Sequence, residues 1–220
     1  MTTANVQKLK EELVVFLRNS DILSTTERGV TTKTDTFTAT AGQTVFTLTQ
    51  NVARNIRSVT VQAVSKSAYT DYTPSYGASS STVTLLVGAT LNDAVVVVYD
   101  YSAGTVEKIW PDYPELTFLV DNTPRIGFDF TAHRTKILGI GDANWLSDAL
   151  VTIKVYDKSI KTIDSYLSTI RSKIKTNEKL FYHFPLVYIS NMGPPIIHAE
   201  LAKKVFEKSV DLILRFSYES

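Results

Sequence analysis

The sequence predicts an α+β protein: an N-terminal helix, an antiparallel sheet and one long helix, with an all-β module of sandwich or barrel type set between the first helix and the sheet. Three observations carry this. Apolar residues recur at three-and-four spacing near the N-terminus and again from Ile160 to Ile174, the period of a helix with one buried stripe. Between about 34 and 103 the pattern changes to short β-branched runs separated by turn residues. At 220 residues, with 44% hydrophobic and 20% charged side chains, the chain is long and apolar enough for one large domain or two small ones.

Val6, Leu9, Leu13, Phe16 and Leu17 form the first stripe, and that helix ends near Arg18-Asn19-Ser20-Asp21. Ser24 to Thr36 turns to Thr, Ser, Lys and Gly without a period and reads as a connector. Phe37 to Leu48 alternates around Gly42, as a hairpin would. Ile56 to Val64 alternates as a strand, with Ile56, Ser58 and Thr60 on one face and Arg57, Val59 and Val61 on the other. Tyr69 to Ser81 reads as a Tyr/Ser/Gly loop. Thr82 to Val87 and Ala94 to Tyr101 are strands, the second buried on both faces. Regularly spaced short strands without a helical pattern define the β module at 34–103.

Pro111, Pro114 and Pro124 argue against a long element from Ile109 to Asn122. Pro124 to Phe130 alternates as a half-buried strand, and Ala149 to Tyr156 is another, with a polar loop at Gly139 to Asn144 between them. Ser159 caps a helix whose stripe is Ile160, Ile163, Leu167, Ile170 and Ile174. Phe181 to Ser190 is a strand. Val205 to Tyr218 is a long final strand, with Phe206, Val210, Leu212, Leu214 and Phe216 on one face and Glu207, Ser209, Asp211 and Arg215 on the other. The core is therefore 1–33 with 104–220.

Composition excludes several classes of chemistry. The 23 basic and 22 acidic residues leave a net charge of +1, too little for a global field that holds nucleic acid or an anionic membrane. With no cysteine there is no disulfide, thiolate nucleophile or Cys-ligated metal. The longest apolar run, Leu91 to Tyr99, is strand-sized and far below the roughly 20 residues that span a bilayer. The N-terminus lacks a basic and apolar leader, so a soluble protein made in the cytoplasm is expected. No phosphate loop, H-E-x-x-H or G-x-S-x-G motif occurs. His133, His183 and His198 are scattered, Gly139-Ile140-Gly141 lacks a third glycine and a βαβ context, and the pairs Asp121/Asp129 and Asp142/Asp148 are what chance produces. No cofactor, metal or catalytic residue is expected, and the protein reads as a non-enzyme.

Two groups of residues are candidate contacts. Lys154, Lys158, Lys161, Arg171, Lys173 and Lys175 gather around one strand and the long helix. They read first as a solvated helix face and, in the sharper reading, as a surface for a negatively charged partner. Tyr69, Tyr72 and Tyr76 stand in the Tyr/Ser/Gly segment, an ordinary hairpin loop or an adaptable recognition surface.

Pro124 to Phe128, Leu150 to Tyr156, Ile163 to Ile170 and the closing strand Lys204 to Phe216 resemble the tail-terminator and tail-completion family of tailed bacteriophages. That resemblance covers residues 1 to 20 and about 105 to 220. Phe37 to Leu48, Val59-Thr60-Val61 and Asp93 to Tyr99 look like a β module that recurs in phage tail and fibre proteins, although a minimal tail terminator has only a loop there. The resemblance implies a virion structural protein: a homo-oligomeric ring, usually a hexamer, that caps the tail tube, docks on the head connector or neck proteins, and lets DNA pass through its lumen. The basic residues would then be partner or lumen contacts, and the β module would meet a sheath, collar or fibre protein. A neck, head-completion or sheath-terminator protein is the neighbouring reading; a receptor- or carbohydrate-binding β module belongs to another class.

Overall fold

The computed structural model describes residues 6–50, 52–77, 79–102, 107–113, 122–137, 144–177, 181, 186–199 and 204–219. The loop at 139–143, together with Pro114, Asp121 and His183, lies outside them. The protein is mixed α+β and mostly antiparallel. In chain order the elements are α1 (Val6–Asn19), α2 (Thr25–Arg28), β1 (Thr31–Thr38), β2 (Gln43–Thr47), β3 (Ala53–Val61), β4 (Val64–Lys66), β5 (Tyr72–Tyr76), β6 (Ser81–Ala89), β7 (Ala94–Tyr101), β8 (Ile109–Pro111), β9 (Arg125–Ile137), β10 (Asn144–Asp157), α3 (Ile160–Asn177), β11 (Leu186–Met192), β12 (Ile196–His198) and β13 (Val205–Glu219). They divide into two compact units: Met1–Leu23 with Lys108–Ser220, and Ser24–Glu107.

The first unit is a six-stranded sheet of order β11-β13-β10-β9-β8, with β12 also paired to β13. All pairs are antiparallel except the short parallel pair of β8 with β9. Leu9, Leu13 and Leu17 of α1 and Ile163, Leu167, Ile170 and Ile174 of α3 repeat every three or four residues, so each helix turns one stripe inward. Both stripes join Val151, Ile153 and Val155 of β10 and Val210, Leu212 and Leu214 of β13 in one cluster. Burying a Leu or Ile side chain contributes about 1.5–3 kcal/mol, so this cluster dominates the unit's stability. Polar contacts fix α1 in place. Arg18, buried, donates through Nε and Nη2 to the Ile109 carbonyl at 3.2 and 2.8 Å, and Lys10 meets Asp129 at 2.9 Å. The alternation expected for Pro124 to Phe130 does not occur: Arg125 to Phe128 are all buried.

The second unit has two antiparallel sheets, β1-β7-β3-β4 and β2-β6-β5. Phe46, Leu48, Tyr72, Val83 and Leu85 from one side and Ile56, Val59, Val95, Val97 and Tyr99 from the other share a single apolar cluster. The unit begins and ends outside the expected 34–103 span. Its start contains α2 and β1 in place of a connector. Ser24 and Glu27 form a reciprocal capping box, and Gly29 closes α2 at φ 65°.

Several local expectations are corrected. Phe37 to Leu48 is not a paired hairpin. β1 pairs with β7 and β2 with β6, so the chain changes sheets between Thr38 and Gln43. In β3, Ile56 and Val59 are both buried because a register shift between Ile56 and Ser58 turns the following residues over. The segment expected as a Tyr/Ser/Gly loop contains β5, paired with β6 from Tyr72 to Tyr76. β7 is the inner strand between β1 and β3, and only Val95, Val97, Tyr99 and Asp100 are fully buried along it.

The chain enters and leaves this unit through a buried ionic cluster. Arg28 donates from Nη1 to Asp100 at 2.8 Å and from Nη2 to Glu107 at 2.9 Å, while Arg57 Nε and Thr32 Oγ1 donate to Asp100 at 2.6 and 2.8 Å.

Candidate interaction site

The sheet of the first unit has two unlike faces. Odd-numbered residues of β10 and even-numbered residues of β13 meet the helices, so Thr152, Lys154 and Tyr156 and their neighbours Glu207 and Asp211 point the other way. This second face is polar, but it is not uniformly solvated. Alternation puts Glu207 on the solvated side, yet it is only 4% exposed. It accepts from Lys154 Nζ at 2.9 Å and lies 3.0 Å from His198 Nε2 of β12. The Lys154 ammonium stands 4.5 Å from the centre of the Tyr113 ring, whose hydroxyl donates to the Thr152 carbonyl at 3.0 Å. Burial, reinforced by the charge of Glu207, pushes the Tyr156 hydroxyl far above its ordinary pKa. Further along, Arg215 donates twice to Asp148, at 2.7 and 2.8 Å, beside a cavity of about 280 Å³ lined by Ala132, Arg134, Leu150, Ser190 and Ile213.

The edges of the sheet carry its exposed apolar side chains. β8 forms one edge, where Trp110 is 42% exposed with the Arg18 guanidinium 5.5 Å from its ring. The opposite edge is β11 followed by β12, and it exposes Met192, Ile196 and Ile197. Between those strands, the Gly193 amide donates to the Ser209 carbonyl at 2.9 Å. A Cβ at Gly193 would collide with Ser209 Oγ, so the edge lies flat on β13 there. Pro194 and Pro195 have no amide hydrogen to offer an adjoining strand, which blunts this part of the edge against uncontrolled pairing.

The structure separates the six basic candidates. Lys154 is engaged by Glu207 on the polar face. Lys161, Arg171, Lys173 and Lys175 are exposed on α3, which covers the opposite face. Lys158 is exposed at the end of β10, and it belongs with two cations that pattern reading misses. Partial burial, and then the charges of Arg125 and Lys158, hold the Lys108 ammonium below its ordinary value. The strand register could have revealed this group, since Arg125 stands opposite Tyr156.

The tyrosines do not form one recognition loop. Tyr72 is 4% exposed and part of the core. Tyr76 is exposed, but its hydroxyl accepts from the Ile56 amide at 3.1 Å. Tyr69 is half-buried in a turn at φ 64°.

Among the described residues no three His, Asp or Glu side chains gather as metal ligands, and no helix is long and apolar enough to cross a membrane. Compared with protein-family models and with curated protein sequences, the chain matches none.

Proposed function

We propose that the chain is a virion structural subunit of tail-terminator type, assembling head to tail into a ring that caps a phage tail tube and joins it to the connector or neck, with DNA passing through the lumen. In this reading the first unit is the terminator-like core and the second is an inserted β module facing a sheath, collar or fibre protein. The observation that carries the reading is the placement of apolar surface: Trp110 on one edge of the six-stranded sheet, and Met192, Ile196 and Ile197 on the other. A ring closes only when each subunit offers two different surfaces that complement each other around a rotation axis, and two opposite edges of one sheet meet that requirement. The resemblance of Leu150 to Tyr156, Ile163 to Ile170 and Lys204 to Phe216 to tail terminators supports the same assignment.

Negative-stain imaging and mass photometry of the purified chain test it. A closed ring near a hexamer is expected, and Ile197→Asp or Trp110→Asp, each on a different edge, should each return monomers with an unchanged circular-dichroism spectrum. A dodecamer would move the assignment to a neck component. A stable monomer or trimer that binds glycans would overturn both ring readings.

A further inference from the structure

Among the described residues, β1 is an uninterrupted and open sheet edge. It runs for eight residues beside β7 without a register shift, and no strand pairs with its other side. The remaining edges are short or interrupted. β4, β8 and β12 have three residues each, β5 has Pro74 at its middle, and the open runs of β2, β9 and β11 bear register shifts. Such interruptions are how sheet edges are kept from pairing with another chain, and β1 lacks them.

The ladder shows which main-chain groups of β1 point outward. The Ala39 amide, one residue past β1, donates to the Asp93 carbonyl at 2.9 Å, whereas the Ala94 carbonyl, opposite Thr38, accepts from the Gln62 amide on the β3 side at 2.9 Å. Bonded residues alternate along an antiparallel ladder, so the odd-numbered residues of β1 bond to β7. The amides and carbonyls of Thr32, Thr34, Thr36 and Thr38 therefore point away from it. The side chains of these threonines share one face of the sheet, and all are exposed. The odd-numbered side chains turn to the core side, where Asp35 is buried and Lys33 Nζ lies 3.8 Å from it.

We propose that β1 pairs antiparallel with β1 of a second copy of this chain about a two-fold axis at Thr34, so that the two four-stranded sheets continue as one. The side chains select this occupant and this register. An axis at Thr34 sets Lys33 of each copy opposite Asp35 of the other on the core side, and it sets Thr32 opposite Thr36 and Thr34 opposite Thr34 on the exposed face. Opposite charges and paired threonines both favour a cross-strand ladder. An axis at Lys33 or at Asp35 would instead put two like charges face to face. In the chosen register the outward amides and carbonyls of Thr32, Thr34 and Thr36 bond to one another across the axis. The inference stands on unit 2 alone and does not depend on how unit 1 assembles.

The chain has no cysteine, so single introduced thiols report the register. Opposed residues of a bonded pair stand about 5.5 Å apart at Cα, within disulfide reach. The test oxidises the full-length variants mildly at roughly 100 µM, where a contact too small to persist at nanomolar concentration is populated. Thr34→Cys should then give mainly a covalent dimer on a non-reducing gel. Thr36→Cys alone should crosslink at least about tenfold more slowly, because the axis holds its two copies ~13 Å apart. A mixture of Thr32→Cys and Thr36→Cys should crosslink readily. Adding Lys33→Glu to Thr34→Cys, with the amide spectrum of unit 2 otherwise in place, should slow crosslinking by at least about fivefold. In the parent chain, exchange at the Thr34 and Thr36 amides should slow between about 1 and about 100 µM, while the Lys33 and Asp35 amides, already bonded to β7, keep their rates. Thr34→Cys crosslinking no faster than Thr36→Cys, a mixture that stays uncrosslinked, indifference to Lys33→Glu, or exchange at Thr34 and Thr36 that ignores concentration would each overturn the proposal.

Discussion

The Arg28 guanidinium and the Asp100 carboxylate meet at 2.8 Å with neither side chain exposed to solvent. Arg28 precedes the first strand of its unit and Asp100 closes the last, and Glu107 binds the same guanidinium at 2.9 Å. This contact therefore joins the two ends of an 84-residue segment, Ser24–Glu107, where a local hairpin contact would join neighbours. A buried charge left without its partner costs far more than the pair contributes. Arg28→Met, which takes the guanidinium from the buried Glu107 and leaves Asp100 to Arg57 and Thr32, is expected to destabilise the unit by about 3–5 kcal/mol. Urea unfolding followed by amide signals of β1 and β7 measures it. Adding Glu107→Gln to that variant should recover part of the loss, because a buried charge that has lost the guanidinium is removed.

Acid should act on the same unit through Asp35 and Asp100. Burial pushes both carboxyls up, but hydrogen bonds outweigh it: from Thr49 and Tyr99 to Asp35, and from Arg57 and Thr32 to Asp100, with the Arg28 charge added. Both end below the ordinary value of 3.8. A carboxyl with a depressed folded-state pKa binds fewer protons when folded. Its stabilisation is complete above the ordinary value and is lost as pH falls through the depressed one. Thermal midpoints of the unit should hold at neutral pH and drop steeply below about pH 4. Asp35→Asn should flatten that drop while lowering stability at neutral pH, and a variant whose acid limb matched the parent's would exclude Asp35 as a cause.

Gly42 and Gly88 should respond differently to alanine. Gly42 has φ +74° with nothing near its missing Cβ, so Gly42→Ala meets only the left-handed backbone cost of roughly 1–2 kcal/mol. A Cβ on Gly88 would sit 2.8 Å from the Gly42 carbonyl oxygen, and that neighbour is main chain. Gly88→Ala must push two segments apart and is expected to cost about 1–3 kcal/mol. It should also disturb the cavity of about 280 Å³ that Gly88 lines with Val61 and Leu85, moving the amide signals of those two residues. Gly42→Ala should leave those signals in place.

Much of the first unit was legible because its strands and helices follow single periods. The α3 stripe of Ile163, Leu167, Ile170 and Ile174 is buried along its length, and Val210 to Phe216 of β13 turn their even-numbered side chains inward. The second unit was harder to read where polar groups hold the structure. β1 exposes most of its side chains, and its one fully buried member is Asp35, so no hydrophobic alternation marks it. The bulge in β3 defeats a strict period of two, since one extra residue reverses every face beyond it. The Ser24-Thr25-Thr26-Glu27 capping box was a readable signal, masked by the Thr-rich context that suggested a connector. The candidate contacts were the least legible. Tyr72 and Tyr76 alternate along a strand and so part company, and the cation group of Lys108, Arg125 and Lys158 comes from three separate stretches of chain.

Glu207 makes Lys154 unlike the other basic candidates. The Lys154 ammonium meets a carboxylate buried on the polar face, which His198 and the Tyr156 hydroxyl also reach. Lys154→Ala therefore removes a structural partner as well as a surface charge, and it should destabilise the first unit by about 1–3 kcal/mol. Lys158→Ala and Lys161→Ala, at exposed positions, should change stability by less than about 0.5 kcal/mol. The pairing of β12 with β13 reports the difference. Ile197 stands opposite Phe206 and His198 opposite Val205, on a strand only three residues long whose side chains reach Glu207 through His198. Hydrogen exchange at the Ile197 and His198 amides should accelerate in Lys154→Ala and Glu207→Gln, and stay at the parent rate in Lys158→Ala and Lys161→Ala. Because Ile196 and Ile197 are, with Met192, the exposed apolar residues of that edge, loss of ring assembly in Lys154→Ala would then report a displaced edge strand. Loss of assembly in Lys158→Ala or Lys161→Ala, with β12 still protected, would instead assign those two lysines a direct contact with a partner.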